Sequence, residues 1–148
     1  MNSILQLEEI LAVVPIREPV LCIDAITILS YGKVAAGYKN ITKSESWARG
    51  HFIDEPIFPG TLIIETMLQI GSFIFYDIKN PKVLKAYLGK INNVKFFHKV
   101  IPDCRLYIDA EFVSKFGKIV EIKCDAKVDS TTVARGNLTL CFIEDFII

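Results

Sequence analysis

His51-Phe-Ile-Asp-Glu-Pro56-Ile-Phe58-Pro59-Gly60-Thr-Leu-Ile-Ile-Glu65-Thr-Met-Leu-Gln69-Ile-Gly71 is the stretch on which the fold of this chain turns. It opens on one of only two histidines in 148 residues. Pro56, Pro59 and Gly60 then bar a regular helix or strand and impose a fixed loop. From Thr61 to Tyr76 the chain is almost wholly apolar, broken by one carboxylate, Glu65, and one amide, Gln69. Leu62, Ile63, Ile64, Met67, Leu68, Ile70, Phe73, Ile74 and Phe75 fall on nearly every face, which predicts a helix buried all round. Its length of about 24 Å falls short of a ~30 Å bilayer core. With Glu65 and Gln69 inside it, the segment reads as the central helix of a soluble domain and not as a membrane span.

Glu65 is the residue that needs a reason. An ionised carboxylate in an apolar interior is costly unless paired, and its pKa tends to rise. Glu65 and Gln69, four apart, share one helix face. On the residues alone two readings stand. One is a polar stripe reaching solvent or a subunit interface. The other is a buried acid facing a cleft, with His51 brought to it by the two-proline loop as partner base. His98 follows Phe96-Phe97 in a lysine-rich strand end, with no carboxylate or glycine beside it in sequence, and is the weaker candidate.

The composition bounds the rest. The length fits one domain, residues 1–148, with a real core, and 51% hydrophobic residues make it globular. Seventeen basic and seventeen acidic residues cancel, so nothing points to nucleic acid. Glu8, Glu9, Arg17 and Glu18 break up the first twenty residues, which therefore do not read as a signal peptide. The expectation is a cytoplasmic protein whose Cys22, Cys104, Cys124 and Cys141 stay reduced. None of them forms a C-x-x-C pair, which argues against a metal site. Cys124 and Cys141 lie in strand-like runs and read as buried fillers.

Taken in order, Ser3 with Gln6 resembles a capping box and predicts a helix from Ile4 to about Val13, stopped by Pro15. Val20–Ser30 and Lys33–Thr42 read as strands around the Tyr31-Gly32 turn. The loop to Trp47 and His51 follows, then the central helix. Lys85–Phe97 is one long strand. In Cys104–Val113, Lys118–Asp129 and Thr132–Ile143, apolar residues alternate with polar ones, the mark of strands with one buried face. Phe116-Gly117 and Asp129-Ser130 mark tight turns. Antiparallel strands with one apolar face need a cover, and the apolar helix is the only large one on offer.

His51-Phe-x-x-x-Pro-x-x-Pro-Gly, followed by Leu-Ile-Ile-Glu65 and then Gln69, resembles the active-site signature of the 3-hydroxyacyl-[acyl carrier protein] dehydratases of FabZ type. The resemblance runs from about Glu9 to Glu144. It takes in Arg17, Asp24, Gly89-x-Ile91-x-x-Val94-Lys95-Phe96 and Val128-Asp129. It implies an α+β hot-dog fold, an antiparallel sheet wrapped around one long central apolar helix. Three departures stand out: Ile16 where the family has His, Ile53 where it has Pro, and Ile101-Pro102-Asp103-Cys104 where it tends to Pro-Gly-Asp. The related dehydratase–isomerases carry Asp at the position of Glu65, which favours the plain dehydratase.

What the resemblance implies is loss of water from a (3R)-3-hydroxyacyl thioester to give the trans-2-enoyl thioester, without metal or organic cofactor. His51 would be the base, Glu65 the acid kept protonated by burial, and Gly60 would offer its backbone N–H to the thioester carbonyl. Phe58, Ile64, Leu68, Gln69 and Tyr87 would contact substrate, Tyr87 at the tunnel entrance or simply as a packed strand aromatic. Family sites are shared across a homodimer, which can assemble further. The rival readings are a hot-dog thioesterase and a non-catalytic acyl-binding subunit. Between Asp77 and Asp103 there is no acidic residue but six lysines, Lys79, Lys82, Lys85, Lys90, Lys95 and Lys99. They read either as a solvated face or as a docking patch for an acidic acyl carrier protein, with Arg105 and Arg135 as possible extensions.

Overall fold

The computed structural model describes residues 2–143; Glu144, where the resemblance ends, lies outside them. The described elements are β1 (Ser3–Gln6), α1 (Leu7–Leu11), β2 (Ala25–Ser30), β3 (Val34–Ile41), α2 (Ser46–Gly50), α3 (Gly60–Ser72), β4 (Ala86–Phe96), β5 (Cys104–Phe116), β6 (Ile119–Val128) and β7 (Thr131–Phe142). A single 3-10 turn, Phe73–Phe75, extends α3. The strands form one antiparallel sheet in the order β1-β2-β3-β5-β6-β7-β4. Helix α3 packs across it, and this is the expected architecture.

Alternation explains the sheet. Leu106, Ile108 and Ala110 on β5, Val120, Ile122, Cys124 and Ala126 on β6, and Ala134, Leu138 and Leu140 on β7 are all fully buried. They face α3, whose Ile63, Met67, Leu68 and Ile70 close the other side. Burying each Leu, Ile, Val or Met side chain among them contributes about 1.5–3 kcal/mol, so this layer outweighs anything the five-residue α1 or α2 supplies. Thr66 and Ser72 sit in the same apolar layer without cost, because each hydroxyl donates to a carbonyl of its own helix, Leu62 O and Gln69 O, both at 2.7 Å.

Two places depart from the sequence reading. The predicted helix Ile4–Val13 is a strand followed by one helical turn. Its N-terminal box uses Gln6 and Glu9, with the Gln6 N–H on Glu9 Oε2 at 2.7 Å, and not Ser3 and Gln6. Ser3–Gln6 pairs with β2 instead, which outweighs a weak local helix preference. Arg17 then caps α1, donating to Leu11 O at 2.9 Å and Val14 O at 3.0 Å. The second departure is β2, which begins at Ala25; Val20–Asp24 is irregular. The turns are where the sequence puts them, with Gly32, Gly117, Asp129 and Ser130 all at positive φ.

Strand β4 lies at the edge of the sheet beside β7 and is exposed along nearly its whole length. No helix among the described residues is long and apolar enough to cross a membrane. The four cysteines are free thiols. Cys22 and Cys124 are the buried ones, while Cys141, read as a buried filler, is only half-buried. Burial pushes the Cys22 thiol up to about 11 and the Cys124 thiol higher still.

The closeness of β2 and β3 to α3 has a local cause. A Cβ on Gly37 would lie 2.5 Å from the Ala25 carbonyl oxygen and 3.3 Å from Ile70 on α3. Gly37→Ala is expected to cost about 2 kcal/mol or more, the scale of an overpacked core site. Gly50→Ala, where nothing lies within 4 Å, is expected to be neutral or to stabilise by up to about 1 kcal/mol. Paired urea melts check both, and equal midpoints would refute the close-packing account.

Candidate active site

Helix α2 ends at His51, whose backbone N–H reaches Trp47 O at 3.0 Å. The loop then closes on itself. Ile57 N donates to His51 O at 2.7 Å, and Phe52 N donates to Glu55 O at 2.7 Å. His51 Nδ1 lies 2.8 Å from Ile57 O. A carbonyl can only accept, so Nδ1 carries a proton and Nε2 is the nitrogen left outside this bond. Phe52 stacks on the ring at 4.0 Å, and the imidazole is half-buried. Together these contacts fix the orientation of the ring.

Phe58 follows, 1% exposed, tied through its N–H to Val100 O at 2.8 Å. Pro59 is the N-cap of α3, and its carbonyl takes the N–H groups of Leu62 and Ile63 at 2.9 and 3.1 Å. As the first residue of α3, Gly60 has no acceptor within the helix. The ring of Phe96 comes so close that a Cβ on Gly60 would meet it at 3.2 Å. A cleft in front of this helix end is lined by Ile57, Phe58, Gly60, Ile63, Phe96, Phe97 and His98. The exposed His98 therefore borders the Gly60 cleft, which its sequence neighbours did not suggest.

Glu65 lies on a different wall. A cavity of about 40 Å³ runs beside α3 from Glu65 past Leu68 and Gln69 to Ser72, closed by Val14, Ile16, Leu84 and Ala86. The first turn of α3 is open in the single chain, so Glu65 is half-buried there instead of sealed. Ile16, in place of the family's histidine, stands on the wall of this cavity. Gln69, 3% exposed, makes three hydrogen bonds through its amide. Its Oε1 accepts from Cys22 N at 2.8 Å, and its Nε2 donates to Val20 O at 2.9 Å and Glu65 Oε1 at 2.7 Å. It thus pins the irregular Val20–Cys22 segment to the helix and aims Glu65.

Within one chain His51 and Glu65 share no hydrogen bond, and His51 is absent from the Glu65 cavity. Ile64 is half-buried next to Glu65, and Tyr87 on β4 is 61% exposed. Among the described residues no group of three or more His, Cys, Asp or Glu side chains is placed to hold a metal ion. Lys99 pairs with Glu55 at 2.5 Å, Arg135 pairs with Asp125, and Arg105 lies over the Tyr38 ring at 3.9 Å while donating to Asn40. Lys82, Lys85, Lys90 and Lys95 remain exposed along the β4 side.

One feature of the site has no counterpart in the sequence reading. Lys39 on β3, 6% exposed, meets Glu45, the N-cap of α2, with Nζ 2.5 Å from Oε1. Glu45 Oε2 accepts from Thr42 N at 3.1 Å. Burial opposes the charge of Glu45, but the Lys39 ammonium, the Thr42 N–H and the Trp47 indole together hold its carboxyl below the usual range. The indole N–H is itself buried without a hydrogen-bond partner, near enough to favour the carboxylate but outside bonding geometry. The signal was present in the sequence. Ala35, Gly37, Lys39 and Ile41 are in phase, so alternation puts Lys39 on the inner face.

One helix laid across a single antiparallel sheet is the architecture of the hot-dog fold. A family model described as a FabA-like domain matches residues 14–137. The 3-hydroxyacyl-[acyl-carrier-protein] dehydratase FabZ of Clostridium botulinum is 40% identical over 138 residues, covering 93% of this chain and 96% of its own length. The Bacillus velezensis protein of the same name is 34% identical over 140 residues, covering 95% and 99%. Among solved structures, the dehydratase heterocomplex ApeI:P from Xenorhabdus doucetiae aligns with a TM-score of 0.73 at 14% identity, over 89% of each chain. A hypothetical thioesterase with coenzyme A from Streptococcus pneumoniae aligns at 0.60 and 11%, over 82% of this chain and 88% of its own. At these identities the two structures speak for the fold alone. The chain belongs to the FabZ dehydratase family within the FabA-like group.

Gln69→Leu would leave the buried Cys22 N–H unpaired, at a cost of about 1–3 kcal/mol, and would also lose the bond to the Val20 carbonyl. A loss of about 2 kcal/mol or more in urea-melt stability is expected. A variant as stable as the wild type would show that the segment is held by other means.

Proposed function

We infer that this protein dehydrates 3-hydroxyacyl-[acyl carrier protein] to the trans-2-enoyl thioester in fatty-acid biosynthesis. The observation that carries the reading is the His51 ring, whose Nδ1–H is fixed on Ile57 O so that Nε2 stands free as the base. Nε2 takes the proton alpha to the thioester carbonyl. The Gly60 N–H, at the positive end of α3, stabilises the negative charge that develops on the carbonyl oxygen. Glu65 Oε1 accepts from Gln69, so Oε2 is the oxygen that acts as the acid. It passes a proton to the hydroxyl as the carbon–oxygen bond breaks, and water leaves. Phe58, Ile64, Leu68 and Tyr87 contact the acyl chain.

His51 and Glu65 do not meet within a chain, and β4 offers an eleven-residue edge carrying exposed Tyr87, Leu88, Ile91 and Phe96. Both observations favour a homodimer that continues the sheet through β4 and builds each site from His51 of one chain and Glu65 of the other. The dimer acts in the cytoplasm, where its four thiols stay free.

His51→Ala and Glu65→Gln are each expected to lower enoyl-thioester hydration at least ~100-fold with the fold intact. Mixing the two inactive proteins should restore activity, because each mixed dimer holds one complete site. Near-wild-type turnover by either variant would remove the assignment, and a monomer by light scattering would remove the shared site.

The carrier protein is acidic in this reading and docks on the lysines flanking β4. Lys82→Glu with Lys85→Glu should slow turnover of carrier-linked substrate, more so at low salt. A short thioester without the carrier should react at the wild-type rate. Equal losses on both substrates would assign these lysines to the fold or the site.

A further inference from the structure

We propose that the half-buried Lys39–Glu45 ion pair positions His51, by pinning the far end of the short helix that carries it. The inference deepens the dehydratase reading only in naming what His51 does; the placement of the ring stands apart from that.

Helix α2 has five residues, too few to hold a conformation without tertiary support. Its place is set by what it touches. At its N-cap, Glu45 joins Lys39 through one oxygen and Thr42 N through the other. Lys39 is a rigid post, because β3 is paired with β2 on one side and β5 on the other. In the middle, the Trp47 ring meets Phe58 edge-on at 5.1 Å. At the C-terminal end, Trp47 O takes the His51 N–H. Packing of Trp47 resists roll of the helix, while the ion pair resists swing of its N-terminus. Glu45 and His51 are about 9 Å apart along the chain at helical rise. A small swing at one end therefore displaces the imidazole by a sizeable part of an ångström, enough to cost an order of magnitude or more in rate.

Stability gives no sufficient reason for the pair. Replacing both members of a buried ion pair by neutral groups of similar size is often neutral or favourable, whereas removing one member is harmful. The double variant Lys39→Met/Glu45→Gln separates these roles. It leaves no unpaired charge, fills the volume, and removes the brace.

Two readouts are taken on the double variant and on Glu45→Gln alone. The first is kcat and KM for enoyl-thioester hydration. The second is the ring carbon–proton spectrum, which is simple because the chain has only His51 and His98, told apart by His98→Ala. The expected result is a kcat lowered ~10-fold or more with KM nearly unchanged, together with a shifted or broadened His51 resonance and an unmoved His98 resonance. A folded double variant with wild-type kcat and an unmoved His51 signal overturns the proposal, as does a raised KM with unchanged kcat. If the double variant does not fold, Glu45→Gln decides by the same criteria. Wild-type protein without dehydratase activity would overturn the dehydratase reading and leave the His51 resonance to decide the brace.

Discussion

The contact between α3 and the inner face of the sheet is the constraint on which the remaining structure depends. Ile63, Met67 and Ile70 are sealed against Leu106, Ile108, Ile122 and Leu138. At about 25 cal/mol per Å² of apolar surface removed from water, this layer is the main favourable term in the fold. It also dictates where polar chemistry can sit. From Thr66 onward the helix admits only groups satisfied within reach, and Thr66, Gln69 and Ser72 all comply. Before Thr66 the helix is more open, with Thr61 exposed and Gly60, Leu62, Ile64 and Glu65 half-buried.

The N-terminal half of that helix presents two different walls. Its N-terminus holds Gly60, set against Phe96, with the His51 loop leading into it. One turn later Glu65 faces the other way, aimed by Gln69. The ion pairs around this arrangement differ in kind. Lys99–Glu55 is exposed on both sides, and such pairs contribute about 0–1 kcal/mol. Lys39–Glu45 is enclosed on the lysine side, where loss of Glu45 would strand a buried ammonium. Similar distances thus carry very different consequences, and the half-buried pair belongs to the element that bears the histidine.

Period was the legible part of the sequence. β5, β6 and β7 alternate over most of their length, and α3 is apolar on nearly every face, so fold and cover could both be read. Four-residue β1 was not legible, because Ser3–Gln6 has no room to show a period and its pairing with β2 is decided far away in sequence. Helix α2 was missed for the same reason of length. Of the site, the spacing from His51 to Glu65 was readable. The tautomer of His51 was not, because it depends on where the Ile57 carbonyl points. Gln69 was expected to meet substrate, yet its three bonds all go to the protein, a fact that needs the Val20–Cys22 segment in place.

The bond from His51 Nδ1 to the Ile57 carbonyl also limits the traffic of protons. A histidine with both nitrogens open can pass a proton from one face to the other and so link a site to bulk water. Here one nitrogen is occupied by an acceptor that has no proton to give. The ring is a store with a single door. Whatever enters at Nε2 leaves at Nε2, on the side where it was taken up.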